Sequence, residues 1–227
     1  MRTLLCCSLA LLLLTGTATF AAAPEITTDE QKTLYTLGLA LSRSLVGFAL
    51  SEAELELVKM GLTDGALQRE PQVDAQLFLS KVQELQQTRM AAVAAVEQKA
   101  SEAFLARAAA APGATKTASG LVMTTLTPGT GAAPMANDTV QVHYHGTLID
   151  GTVFDSSVQR QQPATFPLQG VIKCWTEGLQ RMHVGGKSRL VCPPQLAYGE
   201  RGAPPRIKPG ATLVFDVELL EIVKETK

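Results

Sequence analysis

Few residues of this chain are able to do chemistry, and the familiar catalytic arrangements are absent. There is no Gly-x-Ser-x-Gly elbow for a serine nucleophile, no P-loop, no Gly-x-Gly-x-x-Gly after a strand and no paired Cys-x-x-Cys. His143 and His145 stand two apart in a strand pattern, so both rings point to one face and could seed a metal site. No further Cys/His cluster completes such a site, and the expectation is two strand side chains with ordinary hydrogen bonds and no metal. What remains is a concentration of aromatic rings. The chain is only 5% aromatic, yet its one tryptophan, Trp175, and two of its three tyrosines lie between Tyr144 and Tyr198. Phe154 and Phe215 belong to the same half of the chain. Lone aromatics on strands are ordinary core residues. Here Asp155 follows Phe154 directly and Arg160 comes five residues on, which places charge beside the rings.

The elements that must position these residues begin near Ser119, where the apolar period becomes two. Leu121, Met123 and Thr125 alternate, as do Val140, Val142 and Tyr144, and later Leu213, Phe215, Val217 and Leu219. Asp150-Gly151 reads as a hairpin turn. One short helix is expected from Cys174 to about Met182, with Trp175, Leu179 and Met182 on one side. Gly185-Gly186 then turns the chain into a strand over Lys187 to Cys192, and the Gly/Pro-rich segment 193–210 is an ordered but irregular loop. The expectation is an antiparallel sheet curled around one short helix.

Residues 24–111 follow a different grammar and read as helix throughout. Thr28 with Gln31, and Ser51 with Glu54, have capping-box spacing. Leu34, Leu37, Leu41, Leu45 and Phe48 form one apolar face, and Leu55, Val58 and Leu62 continue the pattern in a shorter helix whose last turns are weakened by Gly61 and Gly65. Pro71 marks a break. From about Val73 to Ala111 there is neither proline nor glycine, and a continuous helix there would extend roughly 57 Å. Its apolar stripe, Phe78, Val82 and Leu85, continues more thinly through Met90, Val93, Val96, Ala100 and Phe104. Such a rod either packs on another domain or spaces two domains apart, and the thinning suits a spacer. The two preceding helices are too small for a core of their own. Two copies of the chain could cover each other's faces, so a homodimer is expected, the alternative being a monomeric helical cap.

Length and charge bound the rest. The 227 residues suffice for one large domain or two modest ones, and a formal net charge of −1 offers no attraction to nucleic acid or an anionic membrane. Met1-Arg2, an apolar run from Leu4 to Leu14 and the small residues of Phe20-Ala21-Ala22-Ala23 have the layout of a secretory signal peptide over 1–23. The run is too short to span a ~30 Å bilayer core comfortably. Export would leave two of the four cysteines, Cys174 and Cys192, in a compartment that permits disulfides. They are candidates for a bridge, the alternative being two buried free thiols.

At this point the sequence resembles a known family. Val142-His143-Tyr144-His145-Gly146-Thr147-Leu148-Ile149-Asp150-Gly151, then Phe154-Asp155-Ser156-Ser157, is similar to the signature of FKBP-type peptidyl-prolyl cis/trans isomerases. So are Val171-Ile172 with Trp175-Thr176-Glu177-Gly178-Leu179, Leu196-Ala197-Tyr198-Gly199, and Leu213 to Leu220. The helical half, Asp29 to Leu50 and Glu54 to Leu62, resembles the N-terminal domain of exported bacterial isomerases of the macrophage infectivity potentiator class. The resemblance implies an α+β protein: a helical dimerisation domain with a long stalk helix over 24–111, then an FKBP-like antiparallel sheet wrapped around one short helix over 112–227.

The resemblance also implies a pocket. Trp175 is its floor, and Tyr144, Phe154 and Phe215 its walls. Val171 and Ile172 line it, the Tyr198 hydroxyl and the Ile207 amide offer hydrogen bonds to substrate carbonyls, and Asp155, with Arg160 nearby, forms the polar side. Asp155, Tyr198, Trp175 and Phe215 are the implied catalytic residues. Cofactors are not required. The implied partners are proline-containing unfolded or nascent exported polypeptides, a second copy of the chain, and FK506- or rapamycin-type macrocycles as inhibitors, in a periplasmic, outer-membrane or cell-surface setting. Several positions depart from the family pattern. Cys174 replaces a glycine and Cys192 an aliphatic residue, and the paired change favours a bridge that braces the pocket floor. Ala164 stands where some members have a phenylalanine wall, Arg206 where some have an apolar residue, and Lys208 interrupts a common Pro-Pro pair. The competing expectation is a module that grips proline segments with little turnover and acts as a chaperone.

Overall fold

The computed structural model describes residues 25–223; the expected signal segment lies outside them. The chain divides into two compact units, one ending at Ala40 and one beginning at Leu41. In the first, Thr28 and Gln31 make the expected reciprocal cap: Thr28 Oγ1 accepts from the Gln31 amide at 3.2 Å, and Gln31 Oε1 accepts from the Thr28 amide at 2.9 Å. They open helix α1, Asp29–Ser42, which buries no residue; Leu34 and Leu37 are exposed.

In the larger unit a 3₁₀ segment, Arg43–Phe48, leads to helix α2, Glu52–Ala66. Ser51 and Glu54 form the second capping box, and the Glu54 carboxylate also pairs with Arg89 at 2.5 Å. The Arg89 guanidinium first, then the Ser51 donors, hold the Glu54 carboxyl down to about 2. Gly61 and Gly65 do not end α2, which continues to Ala66. Helix α3, Ala75–Ala109, starts at Asp74, whose side chain accepts from the Gln76 amide. Along all of α3 only Ser101 is buried.

Seven strands follow: β1 (Ala114–Lys116), β2 (Val122–Thr127), β3 (Thr139–Leu148), β4 (Val153–Ser156), β5 (Ala164–Pro167), β6 (Lys187–Cys192) and β7 (Leu213–Val223). They form one antiparallel sheet in the order β1-β2-β6-β7-β3-β4, with β5 also paired to β3. Alternate residues of β3 and β7 face a core that includes Val140, Val142, Leu213, Val217 and Leu219. Helix α4, Lys173–Leu179, packs its Trp175 and Leu179 into the same core. It is shorter than the expected stretch to Met182, yet Met182 stays buried because amide bonds from Arg181 and Met182 to Gly178 and Leu179 continue the turn. Gly178 permits the close approach of α4 to β6, since a Cβ there would lie 2.8 Å from Leu190 Cδ1. Beside that contact Cys174 and Cys192 are fully buried and joined by a disulfide, with Cα atoms 5.6 Å apart. The bridge ties the helix that carries Trp175 to the sheet.

The thin stripe at the C-terminal end of α3 is not a bare spacer surface. Ser101 Oγ donates to the Gly210 carbonyl and accepts from the Thr212 amide, both at 3.1 Å. A Cβ on Gly210 would come within 2.9 Å of the Ala94 carbonyl oxygen. Lys208 pairs with Glu97 at 2.7 Å. Small residues thin the apolar stripe because they let α3 approach the 193–210 loop closely, a packing surface that hydrophobic periodicity underweights.

Candidate active site

Five aromatic rings meet above α4. Trp175 stands at their centre, with ring centroids 5.2 Å from Tyr144, 5.3 Å from Phe215 and 5.7 Å from Phe166. Phe154 completes the set, 5.4 Å from Phe215. All four contacts are near-perpendicular, the arrangement in which the positive edge of one ring meets the negative face of another. Gly146 of β3 makes room for it: a Cβ there would lie 2.8 Å from the Phe154 ring and 3.0 Å from that of Phe215. The rings enclose a cavity of about 450 Å³, whose remaining lining is Asp155, Gly170, Val171, Ile172 and Tyr198. The buried Trp175 Nε1 has no hydrogen-bond partner among the described residues.

One side of the cavity is polar. Tyr144 Oη donates to Asp155, Arg160 Nη1 also donates to Asp155, and Arg160 Nη2 donates to Tyr144 Oη at 2.9 Å. Burial alone would raise the Asp155 carboxyl, but the Tyr144 and Arg160 hydrogen bonds outweigh it and the net shift is downward. Burial and the bond to Asp155 push the Tyr144 hydroxyl up. The site therefore holds a fixed carboxylate beside a neutral phenol at neutral pH, and the guanidinium closes the triangle.

The structure brings Tyr144, Phe154, Asp155, Val171, Ile172, Trp175, Tyr198 and Phe215 to one cavity. Arg160 stands behind it, reaching in only through Asp155 and Tyr144. Ile207 requires a correction. Its amide donates to the Ala203 carbonyl at 3.1 Å, in a bridge that the Ala203 amide returns at 2.8 Å, so it is not free for a substrate. The Ile207 side chain is buried and lines a different cavity with Val46, Met90 and Val93. Among the described residues the Ile172 amide, at the entry to α4, has no hydrogen-bond partner. The Tyr198 hydroxyl is likewise unpaired among the described residues, on a residue 43% exposed. Phe166 and Gly170 were not expected in the site. Phe166 lies two residues beyond Ala164 on β5, hence on the same face, and its ring stands against Trp175. His143 and His145 bond through Nδ1 to Ser157 and Ser156, at 3.1 and 3.0 Å.

The family described as FKBP-type peptidyl-prolyl cis-trans isomerase matches residues 131–220, and the domain amino terminal to such isomerases matches residues 30–123. The chain is 41% identical over 207 residues to the FKBP-type 22 kDa peptidyl-prolyl cis-trans isomerase of Escherichia coli, covering 88% of this chain and 98% of that one. It is 38% identical over 224 residues to the peptidyl-prolyl cis-trans isomerase Mip of Coxiella burnetii, covering 94% and 95%. The crystal structure of FkpA from Escherichia coli superposes with a TM-score of 0.65 at 36% identity, over 89% of this chain and 100% of that one. With both domains matched and relatives of 38–41% identity covering most of its length, the chain belongs to the FKBP-type peptidyl-prolyl cis-trans isomerases.

Proposed function

We propose that the Trp175 cavity is where this isomerase rotates the prolyl bond, and that its residues act by binding and orientation alone. The observation that carries this reading is the ring of aromatic edges and faces around Trp175 with one ionised, doubly bonded carboxylate at its rim. The X-Pro bond is planar through resonance, with a rotation barrier of ~18–20 kcal/mol. No covalent bond breaks, so no nucleophile is needed. The planar amide carries more charge separation than the twisted one, and a dry aromatic wall disfavours the planar form more. Donors placed for the twisted geometry add differential binding. The Ile172 amide and the Tyr198 hydroxyl are unpaired donors of the cavity, and they are assigned to the carbonyls flanking the proline. Asp155 fixes the polar side, with Arg160 as its positioning partner.

Clients are proline-containing segments of unfolded or nascent exported proteins, whose uncatalysed isomerisation takes tens of seconds or longer. FK506- and rapamycin-type macrocycles compete for the same cavity. Residues 24–111 form the dimerisation domain and 112–227 the isomerase domain. Support for the dimer comes from Leu57, Leu62, Leu77 and Phe78, each more than half exposed in a single chain. The helical region would supply chaperone activity by holding a second stretch of the client. Export to the periplasm rests on the layout of residues 1–23; among the described residues no helix is long and apolar enough to cross a membrane.

The test is isomerisation of a short X-Pro peptide by Asp155→Asn and Tyr198→Phe proteins. Loss of a hydrogen bond to a charged group predicts a drop of about ten- to a hundredfold for Asp155→Asn, with a smaller loss for Tyr198→Phe. Unchanged turnover in both variants would remove the cavity from the mechanism.

A further inference from the structure

The aromatic cavity does not end at Asp155. Across the edge formed by Phe154 and Asp155 a second cavity of about 670 Å³ opens, bounded by Leu148 and Val153 on one side and by Pro205, Arg206 and Lys208 on the other. Phe154 and Asp155 line both cavities. Because the two cavities share this edge and consecutive Cα atoms of a peptide are only 3.8 Å apart, the second space is open to a residue next to a proline held over Trp175.

The charges that line it are not equivalent. Arg160 is committed to Asp155, and Lys208 to Glu97 at 2.7 Å. Asp150 accepts from the Thr152 amide within its own turn and is lowered by that bond first, with Lys208 contributing less. Among the described residues, Arg206 alone of these cations has no carboxylate partner. Its one hydrogen bond runs from Nη1 to the Phe154 carbonyl at 3.3 Å, which anchors the guanidinium at the edge shared by the two cavities. A guanidinium has five N–H donors in a planar fork that matches a carboxylate, and the contact to Phe154 uses one of them. The nearby negative charge of Asp155 is already met by Arg160.

We infer that Arg206 is a specificity residue: it forms a subsite for a carboxylate side chain next to the substrate proline, so that this isomerase favours prolines flanked by glutamate or aspartate. The inference rests on the assignment of the prolyl site to the Trp175 cavity. Arg206 is exposed, so the pair it forms is worth about a two- to fivefold gain in kcat/KM and is weakened by salt. The carboxylate is bound alike before and during rotation, so the gain falls in KM rather than in kcat.

The experiment compares kcat/KM, corrected for the uncatalysed rate, for tetrapeptides that differ only in having Glu, Gln, Lys or Leu beside the proline, in one series before it and in another after it. The expected result is a Glu-to-Gln ratio of about two to five in one series for the full-length protein, close to one in Arg206→Gln, above one in Arg206→Lys, and reduced in 0.5 M salt. A ratio of one in both series for the wild type, or a ratio that Arg206→Gln leaves intact, overturns the inference. The Leu and Gln peptides separate the two failures, because turnover of these without a Glu preference defeats the subsite alone. Turnover that survives Asp155→Asn and Tyr198→Phe defeats the prolyl-site assignment beneath it.

Discussion

Leucine behaves differently in the two regions of this molecule. In the sheet region Leu190, Leu213 and Leu219 have no exposed surface, whereas Leu57 on α2 is 67% exposed and Leu77 on α3 is 71% exposed. The sheet closes its apolar face on α4 and on itself. Helices α1 and α2 bury no residue, and α3 buries only a serine. Local signals are strong in both regions: each predicted cap of the helical region is formed, and β6 of the sheet region has its expected bounds. What separates them is whether one chain supplies both sides of the contact. A sheet around a helix is complete within a single chain; amphipathic helices with good caps still require a second surface.

The largest effect is expected where that second surface is removed. Phe78→Glu with Val82→Glu on α3 should convert the proposed dimer into monomer. Each apolar side chain is worth about 1.5–3 kcal/mol when buried, and two from each protomer raise the dissociation constant at least about a thousandfold. Sedimentation velocity reads this directly, and a dimer of unchanged affinity would show that the exposed helices serve something else. Next comes a matched pair of truncations read by denaturant unfolding. Leu190→Ala should cost about 2–5 kcal/mol, while Leu57→Ala in the monomeric double variant should stay within about 0.5 kcal/mol. Equal losses would erase the distinction between the regions.

A third change falls where α3 meets the loop. Ser101→Ala leaves the Gly210 carbonyl and the Thr212 amide without their shared hydroxyl, at a cost of about 1–3 kcal/mol. Gly210 in turn donates to the Gly199 carbonyl, next to Tyr198. The loss should therefore appear in KM for a peptide as well as in stability, and a purely thermal effect would confine Ser101 to a structural role.

The smallest expected effect is with pH. The folded-state pKa of Asp155 is depressed, so the stability its carboxylate contributes is present above the ordinary value of about 3.9 and is lost only as pH falls below it. kcat/KM should accordingly be flat from about pH 8 down to about pH 5 for any step that depends on Asp155 ionisation. A decline centred near pH 6 that Asp155→Asn abolishes would contradict the lowered value.

Much of this was legible in the residues. Strand β6 has the bounds expected of it, and α3 differs from expectation by two residues at each end, because caps, glycines and period are written locally. The aromatic walls were legible because Phe154-Asp155 and Trp175 stand in distinctive strings. Phe166 was not, since a phenylalanine in a short, proline-flanked strand looks like any core residue until β5 pairs with β3. The Ile207 amide was misassigned because main-chain bonding in an irregular loop leaves no mark on side-chain identity; only the bridge to Ala203 shows that it is taken. Ser101 was invisible for a related reason, as a small polar residue in an alanine-rich helix reads as a solvated face.

Rotation of the prolyl bond is assigned to the surface over Trp175. This assignment is tested most directly by measuring acceleration of X-Pro isomerisation in a short peptide, with and without FK506, for the wild type and for a folded Trp175→Leu variant. The wild type should accelerate the reaction in an FK506-sensitive manner, and the variant should lose at least about tenfold in kcat/KM, or about 1.4 kcal/mol of transition-state binding. Equal acceleration by the two proteins, with FK506 changing neither, would place the catalytic surface elsewhere on the molecule.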